Sequence, residues 1–287
     1  MPRRASWSRL RQRLGALAAT FDVRFLDTDP LQFVHRYSST DDREIAGLVA
    51  SALAYGQVRQ VLASVETALA RMGPRPAAFV DGLNLSRALA DFKGFKHRFN
   101  DARDLVCLLE AARRARLEHG SLGDLFAAGF REEAQDVGEA LAAFSGRMVG
   151  LMEPRLYAGG VLPASVRFLF PAPPASACKR LCLYLRWMVR GPDALDFGQW
   201  RRVPPRALVI PLDTHVARIA AYIGLTRRRT MGWATACDIT ASLRRLDAAD
   251  PVKYDFAICR LGILDHCPRK RDLRKCAACP LLDVCLL

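Results

Sequence analysis

The chain contains no apolar run of the roughly 20 residues that a membrane-spanning helix requires. It also shows no secretory apolar core, no internal repeat and no low-complexity tract. Alternating strand patterns are scarce. These absences exclude a helical channel, a secreted disulfide scaffold, a repeat solenoid and a β-sandwich. Acidic side chains are in deficit: 29 Asp and Glu face 43 Lys and Arg, leaving a net charge of +14. Such a surface field favours a polyanionic partner. Within the cations lysine is scarce, at positions 93, 96, 179, 253, 270 and 275 only. Lysine alone among the cationic side chains can act as an amine nucleophile near neutral pH, so each of the six is a candidate.

What is present reads as a globular, all-α protein. A chain of 287 residues with 51% hydrophobic side chains can bury one large core or two modest ones. The arginine-rich start, residues 1–21, has the composition of an organelle transit peptide. A basic amphipathic helix belonging to the fold is the preferred reading. Asp41 and Glu44 have the spacing of a capping box and open a helical run to Met72. Its middle, Ala54-Tyr55-Gly56-Gln57, is either a polar turn or a helix broken by Gly56. The cluster Lys93, Lys96, His97, Arg98 and Phe99 mixes positive charge with aromatics, as a phosphate-contacting loop does. It also reads as a solvated face. Leu105, Leu108, Leu109 and Ala112 form a helical stripe. Helices are expected over 121–130, 132–149, 175–189, 231–246 and 252–264. Lys253 and Asp255 read as packing and capping residues, and Tyr184 and Trp187 as core.

Three features of the last third carry chemistry. Lys179 opens an apolar-periodic helix. Asp213 stands in IPLDTHVARIAAYIGL, at the expected N-cap of a helix whose buried face is Val216, Ile219, Ala220 and Ile223. Cys267, Cys276, Cys279 and Cys285 close the chain as C-x8-C-x2-C-x5-C. The other five cysteines fall in apolar helical patterns, which fits a reducing cytoplasm and one metal site rather than disulfides. Four thiolates hold either zinc or a [4Fe-4S] cluster. Structural zinc usually employs two close-spaced pairs, and only one is present. Arg269, Lys270 and Arg271 lie in the basic loop between the first two of these cysteines.

The order amine, Leu212-Asp213-Thr214-His215 and cysteine tail resembles the helix-hairpin-helix DNA glycosylase superfamily, in its endonuclease III-like branch with a terminal iron–sulfur cluster. The second half of the chain carries the likeness, the first half only loosely. Two departures are plain. Eight residues rather than six separate the first two cysteines, and PAPPASAC stands before Lys179 where a Gly-Val-Gly hairpin would be expected. The resemblance implies two helical domains: 41–190, a helical barrel with the candidate lysine, and 1–40 plus 205–287, with the aspartate and the cluster loop. It implies a [4Fe-4S] cluster on the four cysteines, with zinc as the alternative, and a base-excision DNA repair enzyme. Asp213 would stabilise the cationic sugar. Lys179 would attack it, with AP-lyase cleavage as a further step. The 34-residue gap between Lys179 and Asp213 resembles that of an archaeal 8-oxoguanine glycosylase branch and favours an oxidised purine.

The expected partner is double-stranded DNA with a damaged base, flipped out and bound by a monomer in the bacterial cytoplasm, at the nucleoid, with no membrane contact. Tyr55, Gln57, Lys96, Arg98, Arg269, Lys270 and Arg271 are the expected DNA-contacting residues, Tyr55 and Phe99 as base-stacking rings. Two other classes stay open: a non-catalytic DNA-binding protein with the same fold and cluster, and a zinc-stabilised RNA-binding or regulatory module.

Overall fold

The computed structural model describes residues 6–287, and the described chain is all-α. Its helices are α1 (Trp7–Thr20), α2 (Leu31–Val34), α3 (Thr40–Ala52), α4 (Val58–Met72), α5 (Pro76–Asp81), α6 (Leu85–Asp91), α7 (Ala102–His119), α8 (Leu122–Ala128), α9 (Gly138–Gly150), α10 (Ala164–Arg167), α11 (Lys179–Val189), α12 (Thr214–Tyr222), α13 (Trp233–Arg244), α14 (Asp255–Ile263) and α15 (Leu273–Ala277). A single hairpin, β1 (Lys96–His97) and β2 (Asn100–Asp101), interrupts them. Among the described residues no helix is long and apolar enough to cross a membrane. The first five residues of the arginine-rich start lie outside the described residues.

The chain divides into two compact units. One comprises the described residues through Phe25 with Pro174–Phe197 and Pro204–Leu287; the other comprises Leu26–Pro173 with Gly198–Val203. Lys179 therefore shares a unit with Asp213, whereas the expected boundaries set the two apart.

In the second of these units α3 is the central helix, with every residue from Glu44 to Ala52 buried. The capping-box expectation fails here. Ser39 is the N-cap of α3, and Glu44 does not turn back to it. The Glu44 carboxylate instead accepts the backbone N–H groups of Leu122 (3.0 Å) and Gly123 (2.9 Å) and the indole N–H of Trp200 (2.9 Å). It thus satisfies two donors that the first turn of α8 leaves unpaired. Burial raises its pKa, against the pull of these hydrogen bonds. Trp200 reaches this place because residue 123 is glycine: a Cβ there would stand 2.6 Å from the indole ring. The helical run expected to Met72 is broken between α3 and α4, where Gly56 takes φ +98°. Helix α9 starts at Gly138, six residues after the expected start.

In the unit that holds Lys179, Tyr184 and Trp187 are fully buried on α11. Each such ring removes on the order of 150–250 Å² from water. Arg186 on the same helix is buried as well, between Asp196 (3.1 Å) and Asp255 (2.6 Å). Asp255 is therefore the buried partner of a cation, not merely a cap. Burial pushes its carboxyl up to about 6 although Arg186 pulls the other way. Lys253 pairs with Asp247. Helix α1 packs on α14, and Arg13 forks onto Asp283 near the end of the chain (2.8–3.0 Å).

Candidate active site

Helices α11, α12 and α14 build the site, all within one unit. Asp213 is the N-cap of α12, with extended backbone angles. Its Oδ1 accepts the N–H groups of His215 (2.9 Å) and Val216 (2.8 Å), the two donors a capping carboxylate meets in the first turn. One oxygen is thereby fixed and the other is left for chemistry. Oδ2 lies 3.8 Å from Lys179 Nζ and accepts the thiol of Cys259 at 3.4 Å.

Lys179 is the first residue of α11 and follows Cys178, which holds a left-handed conformation (φ +51°) without a side-chain cap. The ammonium–carboxylate distance is that of an ion pair rather than a hydrogen bond, so the amine is near Asp213 without being locked to it. The lysine side chain is 36% exposed and the aspartate 14%. A substrate can therefore reach the amine while the carboxylate stays largely shielded, which strengthens its action on any nearby positive charge.

Two neighbours complete the group. Cys259 is half-buried, and desolvation together with the Asp213 charge holds its thiol well above the ordinary value. It is an S–H donor to the carboxylate, not a thiolate. His215 is held below the usual histidine value, chiefly by burial, with Asp213 opposing. Its ring lies against α14, where residue 262 is glycine and a Cβ would meet the imidazole at 2.6 Å. Cys259 carried no sequence signal, because its contact with Asp213 spans 46 residues.

Helix α12 also holds the cysteine tail. Arg218 donates to the Cys267 carbonyl (2.9 Å) and lies 3.4 Å from His215 Nδ1. The Tyr222 hydroxyl donates to the Arg269 carbonyl (2.7 Å). Arg269, Lys270 and Arg271 are exposed on the loop so tethered. The thiols of Cys267, Cys276, Cys279 and Cys285 are close enough to feel one another's charge, and all four are partly buried. Burial raises the Cys267 thiol, and Arg218 draws it back. Four soft thiolate donors beside a guanidinium suit an iron–sulfur cluster or zinc in donor chemistry. Among the described residues no three His, Cys, Asp or Glu side chains are drawn together around a point that could hold a single ion.

The remaining expected contact residues lie in the other unit. Gln57 is the exposed N-cap of α4, and its side chain makes no capping bond. Lys96 is exposed on β1, and Arg98 is exposed in the turn with φ +55°. Tyr55 is half-buried; its hydroxyl donates to the Asn100 side chain and to the His97 carbonyl (3.1 Å). His97 is not a phosphate-facing residue. It is fully buried, bonded to Ser64 Oγ (2.8 Å) and to the Tyr55 carbonyl (3.1 Å), so hairpin pairing rather than charge decided its place.

A protein-family model described as "Protein of unknown function (DUF2400)" matches residues 29–264. No curated protein matches the chain. The matching model is not that of the helix-hairpin-helix glycosylases, so the resemblance drawn from the LDTH phrase and the cysteine tail does not place the chain in that superfamily. The match contains Lys179, Asp213 and Cys259 and stops before the four closing cysteines.

Proposed function

The chain belongs to the DUF2400 family, and from its own residues we propose that it is a DNA N-glycosylase whose reacting groups are Lys179 and Asp213. One observation carries this reading: a lysine amine stands 3.8 Å from a carboxylate whose other oxygen is fixed by two backbone N–H groups. The net charge of +14 supports a nucleic-acid partner.

Breaking an N-glycosidic bond places positive charge on the sugar. Asp213 Oδ2 faces that charge from a preorganised position and also serves as acceptor for the proton Lys179 must lose before it attacks. The amine then bonds to the anomeric carbon, the carbon–base bond breaks, and its electron pair leaves with the base, which takes up a proton. The covalent sugar–lysine adduct opens to an imine and permits strand cleavage by elimination. Cys259 and His215 position the carboxylate and do not touch the sugar.

The four tail cysteines would hold a [4Fe-4S] cluster, with zinc as the alternative, and the metal would fix the basic loop of Arg269, Lys270 and Arg271 against phosphate. The substrate would be duplex DNA with a damaged base, oxidised purine favoured, bound by a single chain. The test is base release from duplexes with 8-oxoguanine, an oxidised pyrimidine or uracil, together with affinity against salt. Each phosphate contact contributes a log–log slope of about −0.9, so steep weakening with salt is expected. Release of no base from any duplex would refute the enzyme.

A second reading, a DNA-binding protein without chemistry, has one observation in its favour. The segment before Lys179 has no glycine, and the Cys178 N–H is spent on Ser176 Oγ (3.1 Å) instead of facing a phosphate. Undiminished DNA affinity in Asp213→Asn with no product from wild type would support it.

A further inference from the structure

A second surface, in the unit without Lys179, has the composition of a base-stacking site. Three rings meet there: Tyr55 to Phe99 at 5.3 Å, Tyr55 to Phe168 at 5.1 Å and Phe99 to Phe168 at 4.9 Å between centroids. Two of them face solvent, Phe99 at 46% and Phe168 at 40% exposure. Exposed phenylalanines in mutual contact are a costly arrangement for a surface unless something covers them.

The scaffold beneath is rigid and fully engaged. The β1–β2 hairpin pairs Lys96 with Asp101 and His97 with Asn100, and its turn presents Arg98 and Phe99. Below the turn the Asn100 amide donates to Asp104 (2.7 Å) and to the Ser165 carbonyl (2.8 Å), while Tyr157 donates to the other Asp104 oxygen (2.9 Å). Buried networks of this kind hold a strained turn in place. The strain is visible at Arg98, a left-handed non-glycine residue whose guanidinium lies 5.9 Å from the Tyr55 ring and whose side chain covers Gly56. Lys96 and Arg167 are exposed and adjoin the rings in sequence, and the Arg98 guanidinium lies at the Tyr55 ring itself.

We infer that the Tyr55–Phe99–Phe168 cluster is a stacking site for one unpaired base of a DNA strand, with Arg98 and Lys96 on the flanking phosphates. The commitment to nucleic acid follows from charge: Arg98 lies at the cluster, exposed Lys96 and Arg167 adjoin it in sequence, and the chain carries a net charge of +14. It rests on the DNA-binding part of the proposed function and not on excision. Ring–base stacking is tolerant of sequence, because every base offers a π-face.

The test uses the full chain and three DNA probes that each carry one 2-aminopurine: single-stranded, bulged in a duplex, or fully paired. Tighter binding and quenched fluorescence are expected for the two unpaired probes. Phe99→Leu with Phe168→Leu keeps apolar bulk but removes the two exposed π-faces, and it should weaken those probes roughly ten-fold and largely remove the quench. Phe99→Trp should retain both, which separates stacking from misfolding. Equal affinity for paired and unpaired probes, or no loss in the double variant, would overturn the inference. So would loss of self-association without change in DNA affinity, which would assign the face to a second copy. Base release is followed in parallel on duplexes that carry 8-oxoguanine, an oxidised pyrimidine or uracil. A stacking signature without release would sink the catalytic reading alone, and release without the signature would sink this one alone.

Discussion

Glu44 and Asp213 are both carboxylates bound to the start of a helix, and they do opposite work. Glu44 spends both oxygens on three protein donors, two from α8 and one from Trp200, and is 3% exposed. Asp213 spends Oδ1 on two N–H groups of its own helix and keeps Oδ2 for Lys179 and Cys259. The same dipole and the same N–H groups stabilise both. What differs is what faces the second oxygen: a backbone N–H and the buried Arg116 guanidinium (3.6 Å) for Glu44, a thiol and the partly exposed Lys179 amine for Asp213. A carboxylate whose partners are all held inside the fold is a rivet. One with a shielded oxygen facing an amine can act on a substrate.

Substitution separates the two. Asp213→Asn keeps a good N-cap, so unfolding free energy should change by no more than about 1 kcal/mol. Base release should fall roughly 10²–10³-fold, the usual loss when one preorganised electrostatic group is removed. Activity that survives with full strength would place Asp213 among the structural caps and end the contrast. Glu44→Ala should behave in the reverse way. Its three buried donors lose their acceptor, at a cost of about 2–3 kcal/mol in denaturant unfolding, while release per folded molecule stays unchanged. A stable Glu44→Ala with impaired turnover would show that the buried carboxylate is part of the site.

Asp255 offers a smaller effect with a sign of its own. Burial raises its carboxyl from the ordinary range to about 6 in the folded chain. The folded form therefore binds the proton more readily than the unfolded one. That contribution to stability is present at low pH and is lost as pH rises through about 6. Asp255→Asn should flatten the fall in unfolding midpoint between about pH 4 and pH 6, whatever its effect on the absolute midpoint. Identical pH slopes in the two proteins would contradict the upward shift that burial gives this carboxyl.

Short-range chemistry was legible in the sequence, and long-range chemistry was not. The N-cap role of Asp213 and the apolar-periodic helix of Lys179 follow from periodicity and capping within one turn, and the structure has both, although that helix begins at Lys179 and not at 175 as expected. Glu44 misled because a capping box is a local pattern, while its actual partners lie 78 and 156 residues away. His97 misled for a related reason. In a run of cations a histidine reads as charged, yet strand alternation in the hairpin turns it inward to Ser64. Cys259 and the Arg186–Asp255 pair join separate helices, and no spacing rule along one segment reports them. The LDTH phrase and the cysteine tail are short motifs that resemble one superfamily, whereas the match over 29–264 is to a different family.

The central claim is that the Lys179 amine reacts under the influence of the Asp213 carboxylate. Borohydride trapping tests it directly, on duplexes that carry an oxidised base or an abasic site, with the adduct mapped by mass spectrometry of the digested protein. The account predicts a covalent protein–DNA species on the peptide containing Lys179, lost in Lys179→Ala and strongly reduced in Asp213→Asn. An adduct on another residue, or one that persists at full yield in Lys179→Ala, would contradict it.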